Sequence, residues 1–354
     1  MSGLAGDLLY VVGVAGMFLI LIAPHEAGHF LVAKLFKVRV LEFSIGAGTK
    51  VWSVTRGGTL YALRLLPILG YVRMGGMEAG DFEEPNGFHS KPPLQRIAIL
   101  AAGPIANFIV AMLLITAFGL TQLNSDPGKV LTVLPNTPAA QAGLHTGDRI
   151  RTVDGKAVSS PENIQQAEVA ANGNPVMVTG VRADGSPFAV QVTPVCKDGG
   201  CQMGVGIARI ATPLTAVQEG VSFPFQAIQV IVQGFSSLLS GQVKGGLLGP
   251  DGLTGPIGIA AITINSVNQG PPTYIWLVAL LSVALGVTNL LPLLALDGGR
   301  IVVVVVEWLR RRPFDRNTEL NFQRWGLVAL LGLAAIISFL DIQRIATGQF
   351  PGVH

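Results

Sequence analysis

The chain has 354 residues, a formal net charge of +3 and only 13% charged residues, whereas half of its residues are apolar. Soluble proteins carry about 25% charged residues, so this composition excludes an ordinary soluble domain and predicts a protein embedded in a lipid bilayer. A net charge of +3 is too small to indicate nucleic acid as a partner, and we expect none.

Four apolar stretches are long enough to cross a bilayer core of about 30 Å as helices that rise about 1.5 Å per residue. In chain order they are Leu8–Phe36, Leu94–Leu120, Tyr274–Leu309 and Trp325–Leu340. The third is too long for one straight span and contains Pro292 and Asp297-Gly298-Gly299, so we expect a broken helix there. A signal peptide needs a basic start, which the residues before the first stretch lack, so we expect this span to be retained.

Basic residues are concentrated in the short loops after the first and third spans. They are Lys34, Lys37, Arg39, Lys50, Arg56, Arg64, Arg73, Lys91 and Arg96 in one loop and Arg310, Arg311, Arg312, Arg316 and Arg324 in the other. Because Lys and Arg near span ends stay in the cytoplasm, we predict that both loops are inside and both termini outside. The long connection Thr121–Thr273 mixes both signs of charge and is predicted to be exported.

Within the exported connection, residues 129–209 alternate short β-rich runs with turns and short capped helices. The runs are Lys129–Leu134, Val176–Thr179 and Phe188–Val192, and the helices are Pro138–Gly143 and Ser160–Ala171. This pattern predicts a small α+β domain. Cys196 and Cys201 lie in it and favour a disulfide, with a metal-binding pair as the alternative.

The tract Ala211–Leu248 has apolar residues at roughly helical spacing with polar residues between them. This pattern favours a helix along the membrane surface rather than a span. The predicted segments are 1–36 (first span), 37–93 (membrane-associated cytoplasmic loop), 94–120 (second span), 126–209 (exported domain), 210–273 (amphipathic linker), 274–309 (third, broken span), 310–324 (cytoplasmic loop) and 325–345 (fourth span).

The sequence His25-Glu26-Ala27-Gly28-His29 lies inside the first span. On a helix the two histidines share one face and can both present a ring nitrogen to one metal, with Glu26 beside the open coordination position as a base for water. The alternative is a polar helix surface without a metal. Burying these three side chains in hydrocarbon costs several kcal/mol unless they have partners, which favours the metal site.

A catalytic zinc needs a third protein ligand besides two histidines. Asp297 is the only carboxylate between Ile275 and Val306 and stands at the predicted break, where an unwound turn can direct it inwards. Alternatively, Asp297 caps the helix that begins near Gly299. Together with the intramembrane His-Glu-x-x-His sequence, the ligand role is favoured.

The two motifs together resemble the site-2 protease family, and specifically its bacterial branch with an exported PDZ domain. The second motif reads Asn289-Leu-Leu-Pro292-Leu-Leu-Ala-Leu296-Asp297-Gly298. Other similar stretches are Gly70–Gly75, Lys91–Ile97, Ala102–Asn107 and Thr254–Ile259.

The resemblance implies that His25, His29 and Asp297 bind Zn²⁺. It also implies that Glu26 is the general base and that Asn289 helps to hold the unwound substrate backbone. The expected activity is that of an intramembrane zinc metalloendopeptidase of the bacterial inner membrane. Its substrates would be single-span membrane proteins, such as anti-sigma factors in regulated intramembrane proteolysis or remnant signal peptides.

Part of the exported domain resembles a PDZ domain, through Val133–Ala139, Ala142-Gly143-Leu144 and Gly147-Asp148-Arg149-Ile150. PDZ domains bind an extended peptide by adding a strand to a sheet edge. The resemblance makes Met203–Ile207 the candidate groove strand. A spacer or steric filter that binds no peptide is an equally open alternative.

Three residues depart from the family's usual pattern, namely Pro24 before the first histidine, Leu294 in the second motif and Arg300 after the glycines. Pro24 removes a backbone donor, and we expect it to kink the span just before His25. The sequence by itself predicts a loop at Gly70–Gly76, whereas the resemblance suggests a β-element that pairs with substrate.

The predicted fold class is a polytopic α-helical membrane protein with four spans, the third one broken, and an inserted α+β PDZ domain. His25 is about 25 Å along the helix from Leu8, which predicts a site in the cytoplasmic half of the bilayer. A metal-dependent transporter and an inactive scaffold that binds partners remain as alternatives. His89 and His145 are predicted to be surface residues, and Glu307 an interfacial one.

Overall fold

The computed structural model describes residues 4–78, 81–123, 126–197, 200–208, 211–242, 246, 249, 252–293 and 295–350. The chain divides into two compact units, one formed by Met1–Thr116 with Glu219–His354 and the other by Ala117–Gln218. The described helices are α1 (Leu4–Leu35), α2 (Pro93–Thr121), α3 (Pro138–Gln141), α4 (Pro161–Ala171), α5 (Pro213–Leu239), α6 (Pro256–Gln269), α7 (Pro271–Leu290), α8 (Asp297–Arg310) and α9 (Arg316–Ala346). The strands are β1 (Val40–Arg56), β2 (Thr59–Met74), β3 (Val130–Val133), β4 (Arg149–Val153), β5 (Lys156–Ala157), β6 (Val176–Val181), β7 (Pro187–Val192), β8 (Val195–Lys197), β9 (Gly200–Gln202) and β10 (Val205–Ile207).

Four of the described helices are long and apolar enough to cross a membrane. They are Gly6–Leu35 of α1, Pro93–Thr121, Pro271–Leu290 and Arg316–Ala346. Large apolar side chains on these helices are exposed, including Leu8, Leu113 and Trp325, as expected where a helix faces lipid rather than water. The chain is therefore a polytopic membrane protein.

The third apolar stretch forms two helices rather than one. The sequence places the break between Pro292 and Gly299, and the structure ends α7 at Leu290 and begins α8 at Asp297. The 14 residues of α8 rise about 21 Å, which is less than the thickness of the hydrocarbon core. Leu294 lies outside the described residues.

Helix α6 packs against α1, a contact that the sequence did not predict within the linker 210–273. The hydroxyl of Thr263 lies 3.0 Å from the sulfur of the fully buried Met17. A Cβ on Gly13 would come within 2.7 Å of Val267. The serine, threonine and asparagine residues of α6 lower its hydropathy, and its 14 residues are too few to cross a bilayer. Its composition therefore gave no indication that it packs among the membrane helices.

Strands β1 and β2 form a sheet in which β1 contacts two parts of β2. Ser44 is paired with both Ala62 and Tyr71, so the first half of β1 lies between residues 60–63 and residues 70–74. The loop that the residues alone predicted for Gly70–Gly76 is therefore wrong at residues 70–74, and the β-element that the resemblance suggested within 37–93 is present. The strand is held by long-range contacts that a local pattern cannot reveal, among them hydrogen bonds from the Tyr71 hydroxyl and from Arg64 to Glu42.

Glu307 of α8, predicted to lie near the membrane interface, is buried within the protein, with 6% of its surface exposed. Its carboxylate accepts hydrogen bonds from Arg96 of α2 at 2.8 Å and from Arg316 of α9 at 2.7 Å. Two cations make burial of the glutamate possible, because a buried charge needs charged partners.

His89 is also more buried than predicted. Its ring packs edge-on against Phe82 and Phe88, and its Nδ1 has no hydrogen-bond partner among the described residues. Burial, reinforced by the positive charges of Arg316 and Arg96, lowers the pKa of His89 to about 3. The imidazole is therefore neutral at physiological pH. His145 is exposed, as predicted.

The unit Ala117–Gln218 contains a four-stranded sheet in the order β5-β4-β6-β7 and the separate pairs β10-β3 and β8-β9. Its apolar core includes Val130, Ile150 and Met203. Cys196 and Cys201 form the disulfide that the sequence favoured.

The buried Asp148 ties down the turn that precedes β4. Burial alone would raise the pKa of Asp148, but hydrogen bonds from the His145 amide and from Arg182, with the charge of Arg182, hold the pKa below its usual range. The folded unit therefore contains an ionised aspartate whose stabilising bonds persist well below neutral pH.

Candidate metal centre

The two histidines of α1 and the aspartate of α8 converge on one point. The Nε2 atoms of His25 and His29 are 3.2 Å apart, and Oδ2 of Asp297 lies 3.3 Å from each of them. Both histidines are buried, with 8% and 6% of their surfaces exposed. Among the residues the structure describes, this is the only group of three side chains arranged to hold a metal ion.

The spacing of these three atoms fits a tetrahedral zinc site. Zinc–nitrogen and zinc–oxygen bonds of about 2.0–2.1 Å at tetrahedral angles place neighbouring donor atoms about 3.3 Å apart. Oδ2 of Asp297 is buried without a hydrogen-bond partner within the described part of the chain. A cation at the centre of the triangle would satisfy this oxygen, so the residues present suit Zn²⁺.

The orientation of His29 is fixed by a backbone carbonyl of α2. Nδ1 of His29 lies 2.8 Å from the Ile99 carbonyl oxygen, which can only accept. Nδ1–H therefore donates, and the lone pair of Nε2 points to the other two ligand atoms. Sequence reasoning missed Ile99 because only its backbone takes part.

The sequence left open that Asp297 caps α8, but the structure shows no such role. The N-cap position is Leu296, and no side-chain capping bond is formed there. The start of α8 packs closely on the end of α7, since a Cβ on Gly298 would lie 2.3 Å from the Leu290 carbonyl oxygen. This close approach holds the first turn of α8 where Asp297 faces the histidines.

The three side chains line a cavity of about 420 Å³, and Glu26, Asn289 and Arg300 also line it. The residues singled out from the sequence are thus brought together. The amide nitrogen of Asn289 donates to the Leu285 carbonyl at 3.1 Å. Despite Pro24, α1 continues unbroken from Leu4 to Leu35.

The edge segment of β2 forms one wall of this cavity through Gly70, Tyr71 and Val72. A Cβ on Gly70 would come within 2.9 Å of Cγ of Glu26 and 2.8 Å of Ile22. Glycine is therefore needed for the strand to lie directly against the glutamate. The sequence gave Gly70 only as part of a family-like stretch.

Gly103 of α2 gives the strongest local test of the centre. A Cβ there would lie 2.3 Å from Nε2 of His29, well inside van der Waals contact. Gly103→Ala should displace the ring and lower zinc affinity by about 10–100-fold, the usual effect of disturbing the orientation of a ligand. The measurement is zinc bound per purified protein over a series of buffered free zinc concentrations. Gly332→Ala is the matched control, since nothing lies within 4 Å of a Cβ on this α9 glycine. Unchanged zinc binding in Gly103→Ala would contradict the packing argument.

His25, His29 and Asp297, with Glu26 beside them in a chain that has four helices able to cross a membrane, have the arrangement expected of a membrane-embedded zinc metalloprotease. The sequence pattern of peptidase family M50 matches residues 13–333, and the chain belongs to this family, the site-2 proteases. The resemblance of the two motifs to the site-2 protease family is thereby confirmed.

Named relatives agree with this assignment. The chain is 31% identical to a provisionally named zinc metalloprotease of Clostridium perfringens, over 94% of this chain and 98% of that protein. It is 28% identical to the regulator of sigma-W protease RasP of Bacillus subtilis, over 91% of this chain and 95% of that protein. The zinc metalloprotease RasP of Bacillus licheniformis is also 28% identical, over 91% and 96%. The cofactor is accordingly Zn²⁺.

Proposed function

We propose that this chain cleaves the transmembrane segments of single-span membrane proteins, with His25, His29 and Asp297 as zinc ligands and Glu26 as the general base. The convergence of the three ligand atoms within 3.3 Å, in the cavity that Glu26 lines, supports this proposal most directly. Anti-sigma factors and remnant signal peptides are the proposed substrates. The name of the Bacillus subtilis relative, a regulator of sigma-W, supports the first of these.

In the proposed mechanism, the residues of the cavity move protons and hold the substrate. Bound zinc supplies Lewis acidity towards the peptide carbonyl and towards water. Glu26 takes a proton from the attacking water and passes it to the amide nitrogen as the C–N bond breaks, which leaves a carboxylic acid and an amine that ionise to carboxylate and ammonium. Asn289 lines the same cavity and holds the unwound substrate backbone.

The edge of β2 is the proposed docking strand for the substrate. A helical peptide bond is shielded by its own hydrogen bonds, so the substrate must be extended before attack. Residues 70–74 are paired with β1 on one side, and Gly70–Val72 line the cavity. Backbone pairing with this edge would hold an extended substrate beside Glu26.

The decisive experiment uses the purified full-length protein in lipid vesicles with a single-span substrate tagged at both ends. Cleavage should occur within the apolar segment, stop on addition of a zinc chelator and return with zinc, because the donor set suits this ion. Cleavage confined to the flanking loops would contradict the proposal. Zinc flux into the vesicles without cleavage would favour a transporter, and neither activity would favour a scaffold.

For the topology we propose cytoplasmic loops at 37–93 and 310–324 in the bacterial inner membrane. Both termini and the unit Ala117–Gln218 are then outside, and His25 lies in the cytoplasmic half of the bilayer. The concentration of Lys and Arg in the two loops supports this orientation.

The unit Ala117–Gln218 is proposed to be a PDZ domain that acts on substrates outside the membrane. Strand β10 pairs with β3 through Val205 and Val133, which leaves β10 as the candidate groove strand. The amide of Met203 just before β10 donates to Glu168 of α4 at 2.7 Å. A terminal carboxylate would have to displace Glu168, so the domain is proposed to filter substrates by size or to bind an internal extended segment.

Deletion of residues 129–209 separates filtering from recruitment. Cleavage of a pre-trimmed substrate should persist in either case, because every proposed ligand lies outside the deletion. A filter predicts that substrates with bulky outer domains become cleavable. Recruitment predicts slower cleavage of trimmed substrates and no gain for bulky ones, since docking raises the effective concentration. Both substrates are compared at matched membrane levels, and a folded, zinc-loaded deletion protein that cleaves neither would contradict both roles.

A further inference from the structure

A chain of polar side chains connects α2, α8 and α9 and ends in the catalytic cavity. In order it runs through Arg96, Glu307, Arg316, Glu319, Gln323 and Arg300. The charges of the first four residues alternate in sign, and neighbouring nitrogen and oxygen atoms are 2.7–3.0 Å apart. Their two positive and two negative charges therefore balance. Gln323 is neutral, and Arg300 is thus the surplus cation of the chain.

Arg300 has no carboxylate ion-pair partner in the part of the chain that the structure describes. Its Nη2 donates to Oε1 of Gln323 at 3.1 Å, and it lies one helical turn after Asp297 on α8, lining the cavity that contains Glu26. Its positive charge acts across the cavity on the carboxylate of Glu26, so the guanidinium is placed to attract a further negative charge that forms beside Glu26.

Peptide hydrolysis creates such a negative group in this cavity. When water adds to the scissile carbonyl carbon, the π-electron pair of the carbonyl moves onto its oxygen, and the proton of the water goes to Glu26. The oxygen then carries a full negative charge until the C–N bond breaks, the pair returns to re-form the carbonyl and the amine leaves with a proton from Glu26. The products are a carboxylic acid, which keeps the second proton of the water, and an amine; transfer of that proton to the amine gives carboxylate and ammonium, so all atoms are accounted for.

We propose that Arg300 donates hydrogen bonds to this carbonyl oxygen as its negative charge develops, and that Gln323 positions the guanidinium for it. The inference rests on the proposed peptidase activity. A guanidinium has five N–H donors, so the bond to Gln323 leaves others for substrate. A donor aimed at charge that exists only in the transition state raises kcat rather than substrate affinity.

The experiment compares Arg300→Ala and Arg300→Lys with wild type in lipid vesicles, measuring zinc content, kcat and KM. Arg300→Ala should keep its zinc and lose about 10²–10³ in kcat, the typical effect of removing one such donor, with KM nearly unchanged. Arg300→Lys keeps the charge and should recover at least about tenfold of that loss. Arg312→Ala removes an exposed arginine beyond α8 and should match wild type.

Two further variants test the role of Gln323. Gln323→Ala frees the guanidinium and should lower kcat by less than Arg300→Ala. Gln323→Glu pairs Arg300 with a carboxylate and should lower kcat more than Gln323→Ala does, because the pair neutralises the cation.

A binding measurement adds a readout that is independent of turnover. A phosphinic peptide carries a tetrahedral, anionic group, and its affinity for the zinc-loaded protein should fall about as much as kcat in Arg300→Ala. The affinity of the uncleaved peptide, measured in a Glu26→Gln background, should not change.

Several results would overturn the inference. A raised KM with unchanged kcat would make Arg300 an ordinary substrate contact. Loss of zinc or of thermal stability in both Arg300 variants would make it structural. If wild type holds zinc but cleaves no membrane substrate, the proposed function fails first; if wild type cleaves and Arg300→Ala cleaves equally well, only the role of Arg300 fails.

Discussion

Replacing Glu26 by glutamine should leave zinc content near that of wild type while lowering kcat by about 10²–10⁴, the usual effect of losing a general base. The substitution keeps the size and polarity of the side chain in the wall of the cavity, and it touches none of the three ligand atoms. Glutamine cannot accept the proton of the attacking water, so only proton transfer is lost. The measurement pairs metal analysis with the cleavage rate of a tagged single-span substrate.

Glu26→Asp provides the companion variant for this prediction. It retains a carboxylate on a side chain that is shorter by one methylene. Its kcat should lie between those of wild type and Glu26→Gln if proton transfer depends on the distance between the carboxylate and the water. Activity of Glu26→Gln within about tenfold of wild type would remove Glu26 from the mechanism. Loss of zinc in Glu26→Gln would instead assign the glutamate to metal binding.

Replacing Asp297 by alanine should remove most of the bound zinc as well as the activity. Its Oδ2 lies 3.3 Å from both histidine nitrogens, so the variant would leave only two protein ligands. Since even the outer partners of ligands are worth about 10–100-fold in metal affinity, loss of a ligand should cost more than that. Zinc per protein after dialysis against a weak chelator measures the effect.

Asp315→Ala is the control for this variant, because Asp315 is a true helix cap. It occupies the N-cap position of α9, and its Oδ2 accepts from the Thr318 amide at 2.8 Å. Losing such a cap costs about 0.5–2 kcal/mol of stability and should leave zinc in place. Full zinc occupancy in Asp297→Ala, with the same modest destabilisation as the control, would show that another residue completes the centre.

The amino-acid sequence by itself determined which residues are candidates for a metal site and where the apolar helices lie. Both are local properties. Two histidines four positions apart share one helix face in any helix, and the length of an apolar run can be counted directly from the sequence. The break before Asp297 could also be predicted from the sequence, because proline and paired glycines disfavour a continuous helix.

Only the tertiary structure decided how the centre is assembled and supported. Asp297 faces His25 because α8 begins against the end of α7, and His29 is oriented by the backbone of Ile99. Gly103 contributes through the absence of a side chain. Backbone carbonyls and missing Cβ atoms leave no trace in composition or periodicity, so no local pattern could have identified them.

The same reason explains the features that the sequence did not predict. The edge strand at residues 70–74 is defined by its pairing with β1, and the burial of Glu307 is permitted by Arg96 and Arg316 from other helices. Each depends on partners far away in the chain. A carboxylate near a span end is exposed or buried according to the charges that folding brings to it, and hydropathy along the chain does not contain that information.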